Sequence, residues 1–156
     1  MIAGLRRAMV ADATRVAALV DRAYGHYVAR IGQKPYPMTV DYAEAIGAMR
    51  GFVVERDWRI VGLLLLDEAR DHVMVENVAV DPGLQGTGLG RQLMQLAEDE
   101  ALAAGLTELR LYTHQMMTEN QAIYRRLGYV EFDRRTVGGR PRVYMRKSLA
   151  RRFPLS

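Results

Sequence analysis

Apolar and polar positions change period several times along this 156-residue chain. Between Ala13 and Ile31 the apolar residues Val16, Leu19, Val20, Ala23, Tyr24 and Tyr27 recur at the spacing of a helix facing a core. Ahead of it, "LRRAMVAD" reads as a short strand with Asp12 as the helix cap. "GQKPYPM" is a loop and "TVDYAEAIGAM" a second, shorter helix. "GFVVERDWRIVGLLLL" reads as two strands around a tight turn at Arg56-Asp57. "HVMVENVAV" is a third strand, closed by Asp81-Pro82 because proline has no N–H for a ladder. Helical period then returns, with Leu89, Leu93, Leu96, Ala97 and Ala104 on one face and Gly105 as the stop. "TELRLYTH" alternates as a strand does. "TENQAIYRRLG" is a short helix with Thr118 and Gln121 as a capping box and Gly128 at its end. "YVEFDRRTVGGRPRVYMRKSL" is a hairpin turning near Gly138-Gly139.

The predicted order is β-α-α-β-β-β-α-β-α-β-β. Residues 73–113 form a strand, a glycine-rich turn, a helix and a second strand. Such a crossover joins parallel strands and is right-handed. Antiparallel strands flank it on both sides. The expected fold class is therefore α/β, a mixed, mostly antiparallel sheet with a central parallel βαβ crossover, in a single domain over residues 1–156.

Composition narrows the chemistry. An apolar share of 49% and a charged share of 26% are those of a soluble globular protein. There is no cysteine, which excludes disulfides, thiolate metal ligands and a cysteine nucleophile. Arg6, Arg7, Asp12 and Arg15 interrupt any leader-like apolar region, and the longest apolar run, Ile60 to Leu66, is too short to span a bilayer. A cytoplasmic protein with no membrane partner is the expectation. His26, His72 and His114 show no metal-ligand spacing, so no metal is expected. The net charge of +4 is skewed, since Arg134 to Arg152 holds eight Arg or Lys and no Asp or Glu. That end is either a solvated sheet edge or a contact for an acidic protein, a phosphorylated ligand or nucleic acid. Its few aromatics make nucleic acid the least expected of these.

The stretch "VAVDPGLQGTGLGRQLM", Val78 to Met94, concentrates the candidate chemistry. Glycine is costly in regular structure, yet Gly83, Gly86, Gly88 and Gly90 fall within eight residues at a helix start. Such a turn either packs tightly with no ligand or offers free amides and a helix dipole to phosphate. A nucleotide P-loop needs a Lys that is absent here, and the glycines read G-x-G-x-G rather than G-x-G-x-x-G. Gln85-x-x-Gly88-x-Gly90, preceded by "ENVAVDP", resembles the pyrophosphate-binding motif of the GNAT N-acetyltransferase family. The resemblance extends from "RRAMVAD" to "VYMRKSL" in element order and length.

The resemblance implies acetyl-CoA as cosubstrate, held by the amides of Gln85, Gly86, Thr87, Gly88, Leu89, Gly90 and Arg91. It implies that Asn77, Val78, Ala79 and Val80 lend main-chain groups to the pantetheine arm and the acetyl carbonyl. "MTENQAIYRRLGY" matches the family's second motif at Tyr124, Gly128 and Tyr129, but Met117 stands where Asn is common and Asn120 where Ala is common. Asn120 lies one turn before Tyr124, so it serves either as a cofactor contact or as a plain helix cap.

Acetyl transfer to an amine requires that the amine lose a proton, from a pKa of roughly 10. It also requires donors for the developing oxyanion and an acid for the departing thiolate. Tyr124 is the candidate acid by resemblance, and the alternative is a packed tyrosine. Glu76, a carboxylate inside an apolar strand, is the candidate base if it faces a cleft rather than solvent. His114, just past its strand, is a lesser candidate base, and Tyr24, Tyr27, Tyr36, Met38 and Tyr42 fall in the family's acceptor region. The expected function is acetyl transfer from acetyl-CoA to a small-molecule or peptide amine, with a homodimer compatible. The alternative is a non-catalytic acyl-CoA-binding module that acts through protein or RNA contacts of its basic C-terminal region.

Overall fold

The computed structural model describes residues 1–149, so Arg151 and Arg152 of the basic run lie outside the described residues. Seven strands form one sheet: β1 (Leu5–Arg7), β2 (Arg50–Arg56), β3 (Arg59–Glu68), β4 (Val73–Val80), β5 (Glu108–His114), β6 (Val130–Val137) and β7 (Arg140–Ser148). Their order across the sheet is β1-β2-β3-β4-β5-β7-β6. Only β4 and β5 are parallel, and every other pair is antiparallel. The helices are α1 (Ala13–Tyr24), α2 (Tyr27–Ile31), α3 (Tyr42–Ala48), α4 (Leu89–Ala103) and α5 (Thr118–Arg126). This is the mixed sheet with a central parallel crossover that the hydrophobic pattern predicts.

Two apolar layers enclose the sheet. On one face α4 packs Leu89, Leu93, Met94, Ala97 and Ala101 against Val54, Leu64, Val75, Leu109 and Leu111. On the other, α1 and α3 pack Val16, Leu19, Val20 and Ile46 against Val53, Leu63, Leu65 and Ala79. The run Ile60–Leu66 is therefore the middle of β3, buried on both faces. Each such residue contributes about 1.5–3 kcal/mol through lost contact with water.

Local expectations fail where a side chain finds a better partner than the pattern implies. The helix expected over Ala13–Ile31 breaks after Tyr24. Gly25 N–H bonds to Asp21 O, and α2 restarts at Tyr27. Asp12 is the N-cap residue of α1, as expected, but its side chain makes no capping hydrogen bond. It is buried and held by Arg6 at 2.8 Å and Arg15 at 3.0 Å. The β2–β3 turn lies one residue later than expected, at Asp57-Trp58, where both residues have positive φ (51° and 63°). Ala104 sits at the exposed C-terminal end of α4, and Met94 and Ala101 complete its buried face instead. Thr118 and Gln121 form no capping box. Gln121 is buried, and its side-chain amide donates back to the carbonyls of His114 (3.3 Å) and Gln115 (3.0 Å).

One irregularity positions everything that follows. In the β3–β4 ladder Leu66 pairs with Val75 and Leu65 with Asn77, so Glu76 is an extra residue without a partner. A bulge of this kind bends its strand and shifts the alternation of faces by one. Val73 and Val75 face α4 before it, and Val78 and Val80 do so after it. The β4–β5 pairing also ends there, at Val75–Leu111. Beyond that point the two parallel strands part.

Candidate active site

The parting of β4 and β5 leaves one edge of β4 unpaired after the bulge. Asp81 N–H donates to Val61 O, which turns the main chain of residues 77, 79 and 81 toward β3. Alternation then turns the N–H and C=O of Val78 and Val80 toward the open edge. There Val78 O accepts from Tyr24 Oη (3.1 Å) and Val80 O from Gln85 Nε2 (3.5 Å). Of the four strand residues expected to offer main-chain groups to the cosubstrate, Val78 and Val80 turn theirs to the open edge, while Asn77 and Ala79 direct theirs into the sheet.

A cleft of about 710 Å³ opens along this edge, within the range of small-molecule sites of roughly 300–1,000 Å³. Val78, Ala79, Val80, Gln85, Gly86, Gly88, Gly90 and Arg91 line one wall, and Asn120, Ile123, Tyr124 and Leu127 of α5 and its end line the other. Gly86 (φ +82°) and Gly88 (φ +90°) adopt left-handed backbone, and a Cβ at either would project into open space. Gly88 is the N-cap of α4, and no side chain caps it. The N–H groups of Gln85 and Thr87 close the turn onto Pro82 O and Leu84 O. Those of Leu89, Gly90 and Arg91 precede the first i→i−4 bond, which Gln92 makes to Gly88 O. The side chain of Leu89 belongs to the core, and Thr87 is exposed.

A second, smaller cavity of about 50 Å³ lies on the β5 side of the parting and is lined by Glu76, Tyr112, His114, Tyr36, Arg140 and Arg142, among others. Tyr24, Val78, Asn120 and Tyr124 line both spaces. The solvent-facing reading of Glu76 thus gives way, because the bulge turns it into this cavity. Glu76 Oε2 accepts from Tyr112 Oη at 3.0 Å. Burial raises the Glu76 pKa above the ordinary carboxylate value, and the Tyr112 hydrogen bond and the Arg142 charge oppose that rise. Tyr124 is half-buried, meets Tyr129 edge-on with centroids 5.9 Å apart, and is pushed up to about 12 by burial, so it keeps its proton at neutral pH.

His114 is held as a donor, which does not suit the lesser base role open to it in the sequence. Its Nδ1 accepts from Met116 N–H at 3.0 Å, which spends the ring's lone pair and places the proton on Nε2. That Nε2 is buried with no partner among the described residues. Burial and the nearby Arg140 charge lower the His114 pKa, so the ring is a neutral donor rather than a base. Asn120 makes only a long contact to Met117 Sδ (3.7 Å) and caps no helix, because the N-cap of α5 is Met117. Tyr24 ties the site to the far core: its single hydroxyl proton is shared between Val78 O and Asn77 Oδ1 (3.0 Å), and Asn77 Nδ2 donates to Tyr42 Oη (3.0 Å). Tyr112, Arg142 and the His114 tautomer lie beyond sequence reasoning, and their only trace there is Arg142's place in the basic run. Among the described residues, no group of three or more His, Asp and Glu could hold a metal ion.

Three of the six described cations of the basic run are paired with carboxylates in the fold. Arg134 pairs with Glu131 (2.9 Å), Arg135 with Asp133 (2.6 Å) and Lys147 with Glu98 (2.5 Å). No helix among the described residues is long and apolar enough to cross a membrane.

Known proteins share both the sequence pattern and the architecture. An IAA acetyltransferase of Azospirillum brasilense is 33% identical over 85 residues, 53% of this chain and 56% of that protein. A mycothiol acetyltransferase of Rhodococcus jostii is 33% identical over 93 residues, 59% of this chain and 27% of that protein. The chain thus spans about half the length of the first curated relative and about a quarter of the second. The crystal structure of PaiA N-acetyltransferase from Thermoplasma acidophilum, in complex with coenzyme A, superposes with a TM-score of 0.78 at 18% identity. That superposition covers 92% of this chain and 97% of the other, and it establishes the shared fold. Residues 16–129 match the Acetyltransferase (GNAT) family, and the chain belongs to that family.

Proposed function

We propose that the protein transfers acetyl from acetyl-CoA to a primary amine by direct attack on the thioester. The observation that carries this reading is Tyr124, which lines both the glycine-turn cleft and the cavity holding Glu76. The cleft takes the cosubstrate. The free amides of Gly88, Leu89, Gly90 and Arg91, at the positive end of α4, suit its pyrophosphate. Arg91 and Arg126 on the cleft wall supply further positive charge. The pantetheine arm replaces the missing strand between β4 and β5, bonding Val78 and Val80.

The amine enters from the smaller cavity. Glu76, directly or through a water, takes the proton that the ammonium must lose. Its raised pKa makes it a stronger base than an ordinary carboxylate. The amine nitrogen bonds to the carbonyl carbon while an edge N–H of β4 holds the oxygen's developing charge. As the carbon–sulfur bond breaks, Tyr124 donates its phenolic proton to the sulfur, and the phenolate recovers a proton from the nitrogen, which carries one more than the amide keeps. The open edge of β4 and the neutral phenol thus act on opposite ends of one bond change.

The test is release of free thiol from acetyl-CoA over a broad panel of amines, with the acetylated product identified by mass. Tight CoA binding with no thiol release on any amine overturns the transferase reading in favour of a binding module.

A further inference from the structure

The acceptor's chemical class is written in the charges of the smaller cavity, an inference that rests on the acetyl-transfer reading. Among its described lining residues Glu76 is the one carboxylate, and Arg140 and Arg142 bring two positive charges. The guanidinium of Arg142 lies 4.0 Å from the ring centre of Tyr112 and 4.9 Å from that of Tyr36. Stacking on two rings fixes its plane without neutralising it. Its polar contact is a long one, Nη1 to Tyr144 Oη at 3.4 Å. Arg140 donates Nε and Nη2 to the carbonyl of Lys34 (3.1 and 3.0 Å), which holds its position and leaves its charge. Neither has a carboxylate within 4.0 Å among the described residues, whereas Arg134, Arg135 and Lys147 of the same hairpin do. The lining His114 adds a buried Nε2–H without a partner.

An acceptor that carried only its ammonium would enter a cavity already holding an excess positive charge. We infer that the acceptor is an amine that also bears a carboxylate, which Arg142 and Arg140 hold while the amine faces Glu76. The planar guanidinium fork matches a carboxylate edge. Arg142 is thus a specificity-determining residue that acts on substrate choice.

The experiment pairs α- and ω-amino acids and aminobenzoates with their own carboxamides, and adds aminoalkylphosphonates. It uses thiol release for turnover and calorimetry on the CoA-loaded protein for binding. The expected result is at least one carboxylate acceptor whose kcat/KM exceeds that of its carboxamide by about 10²-fold, the scale of a hydrogen-bonded charge left without its partner. Arg142→Gln should shrink that ratio to near one with CoA affinity retained. Arg142→Lys keeps the charge and should retain part of the preference, which separates lost recognition from a damaged fold. Equal turnover of carboxylates and carboxamides by the parent protein, or a preference for the phosphonates, overturns the inference and leaves acetyl transfer intact. Carboxylate-selective binding with no thiol release does the reverse. Absence of both binding and turnover for every carboxylate overturns the inference as well.

Discussion

The two cavities that meet at Tyr124 are built by opposite means. One wall of the larger is set by backbone: the open edge of β4 and a turn whose glycines leave amides bare at the start of α4. The smaller is side chains drawn from across the chain. Glu76 comes from a bulge in β4, Tyr112 from β5, Tyr36 from the loop before α3, and Arg142 from β7. A backbone site depends on conformation, so it tolerates exchange of most side chains and fails where a special φ is lost. A side-chain site depends on identity, and each member can be removed singly. The first geometry suits a ligand that never changes, and the second suits one that differs between relatives.

The largest effect should come from attacking the backbone site through conformation. Gly88 has φ +90°, and a Cβ there would project into the cleft. Gly88→Val places a β-branched residue in left-handed backbone and aims its methyls where phosphate would meet the amides. CoA affinity should fall by at least about 10²-fold by calorimetry, given the loss of several charge-assisted hydrogen bonds. A folded Gly88→Val variant that binds CoA as the parent does would break the comparison, because the turn would then be mere packing.

Next comes the shared wall. Tyr124→Phe keeps the ring against Tyr129 and removes only the hydroxyl. Turnover should drop by about 10²-fold with CoA affinity nearly unchanged, the signature of an interaction made in the transition state alone. Unchanged turnover would make Tyr124 a packing residue. Lost CoA affinity with turnover intact at saturation would move it wholly to the cofactor side.

The same contrast decides how much was legible in the sequence. The mixed sheet and its crossover follow from periodicity, because burial enforces period on every strand and helix. The glycine turn is legible because an unusual backbone demands an unusual residue at fixed spacing. The smaller cavity is not legible in this way. Tyr112 and Arg142 are ordinary residues in alternating strands, and they meet only because β7 inserts between β5 and β6. Glu76 stands out as a charge in an apolar run, but its direction depends on a bulge that the pattern does not mark. Gln121 fits a capping box in sequence, yet the His114 and Gln115 carbonyls offer it buried partners. The tautomer of His114 depends on one amide two residues away.

A smaller effect sharpens the side-chain half. Glu76→Gln removes the proposed base and keeps an acceptor for Tyr112. The rate should fall by about tenfold or more near neutral pH and by less at high pH, where the amine, with a pKa of roughly 10, is already free. A pH–rate profile that matches the parent's would remove Glu76 from the mechanism.

The smallest effect tests what it costs to keep that base out of water. Burial raises the Glu76 pKa in the folded protein above its unfolded value. The native state therefore holds this proton more tightly than the unfolded chain does, and folding is favoured while the group is protonated. Below the ordinary carboxylate range, parent and Glu76→Gln should differ little in this respect. As pH rises through the raised pKa, the parent must ionise a half-buried group and loses stability that the neutral glutamine keeps. The gap in melting temperature should therefore open in favour of Glu76→Gln with rising pH and level off once the pH is above the raised pKa. Taking the difference between the two proteins cancels every other titrating group they share. Tyr112→Phe removes the hydrogen bond that opposes the shift, so in that background the gap should grow larger and level off at higher pH, with its opening unchanged. A gap that stays constant from pH 4 to pH 8 would mean that Glu76 is solvated as an ordinary surface carboxylate is, and the side-chain cavity would lose its base.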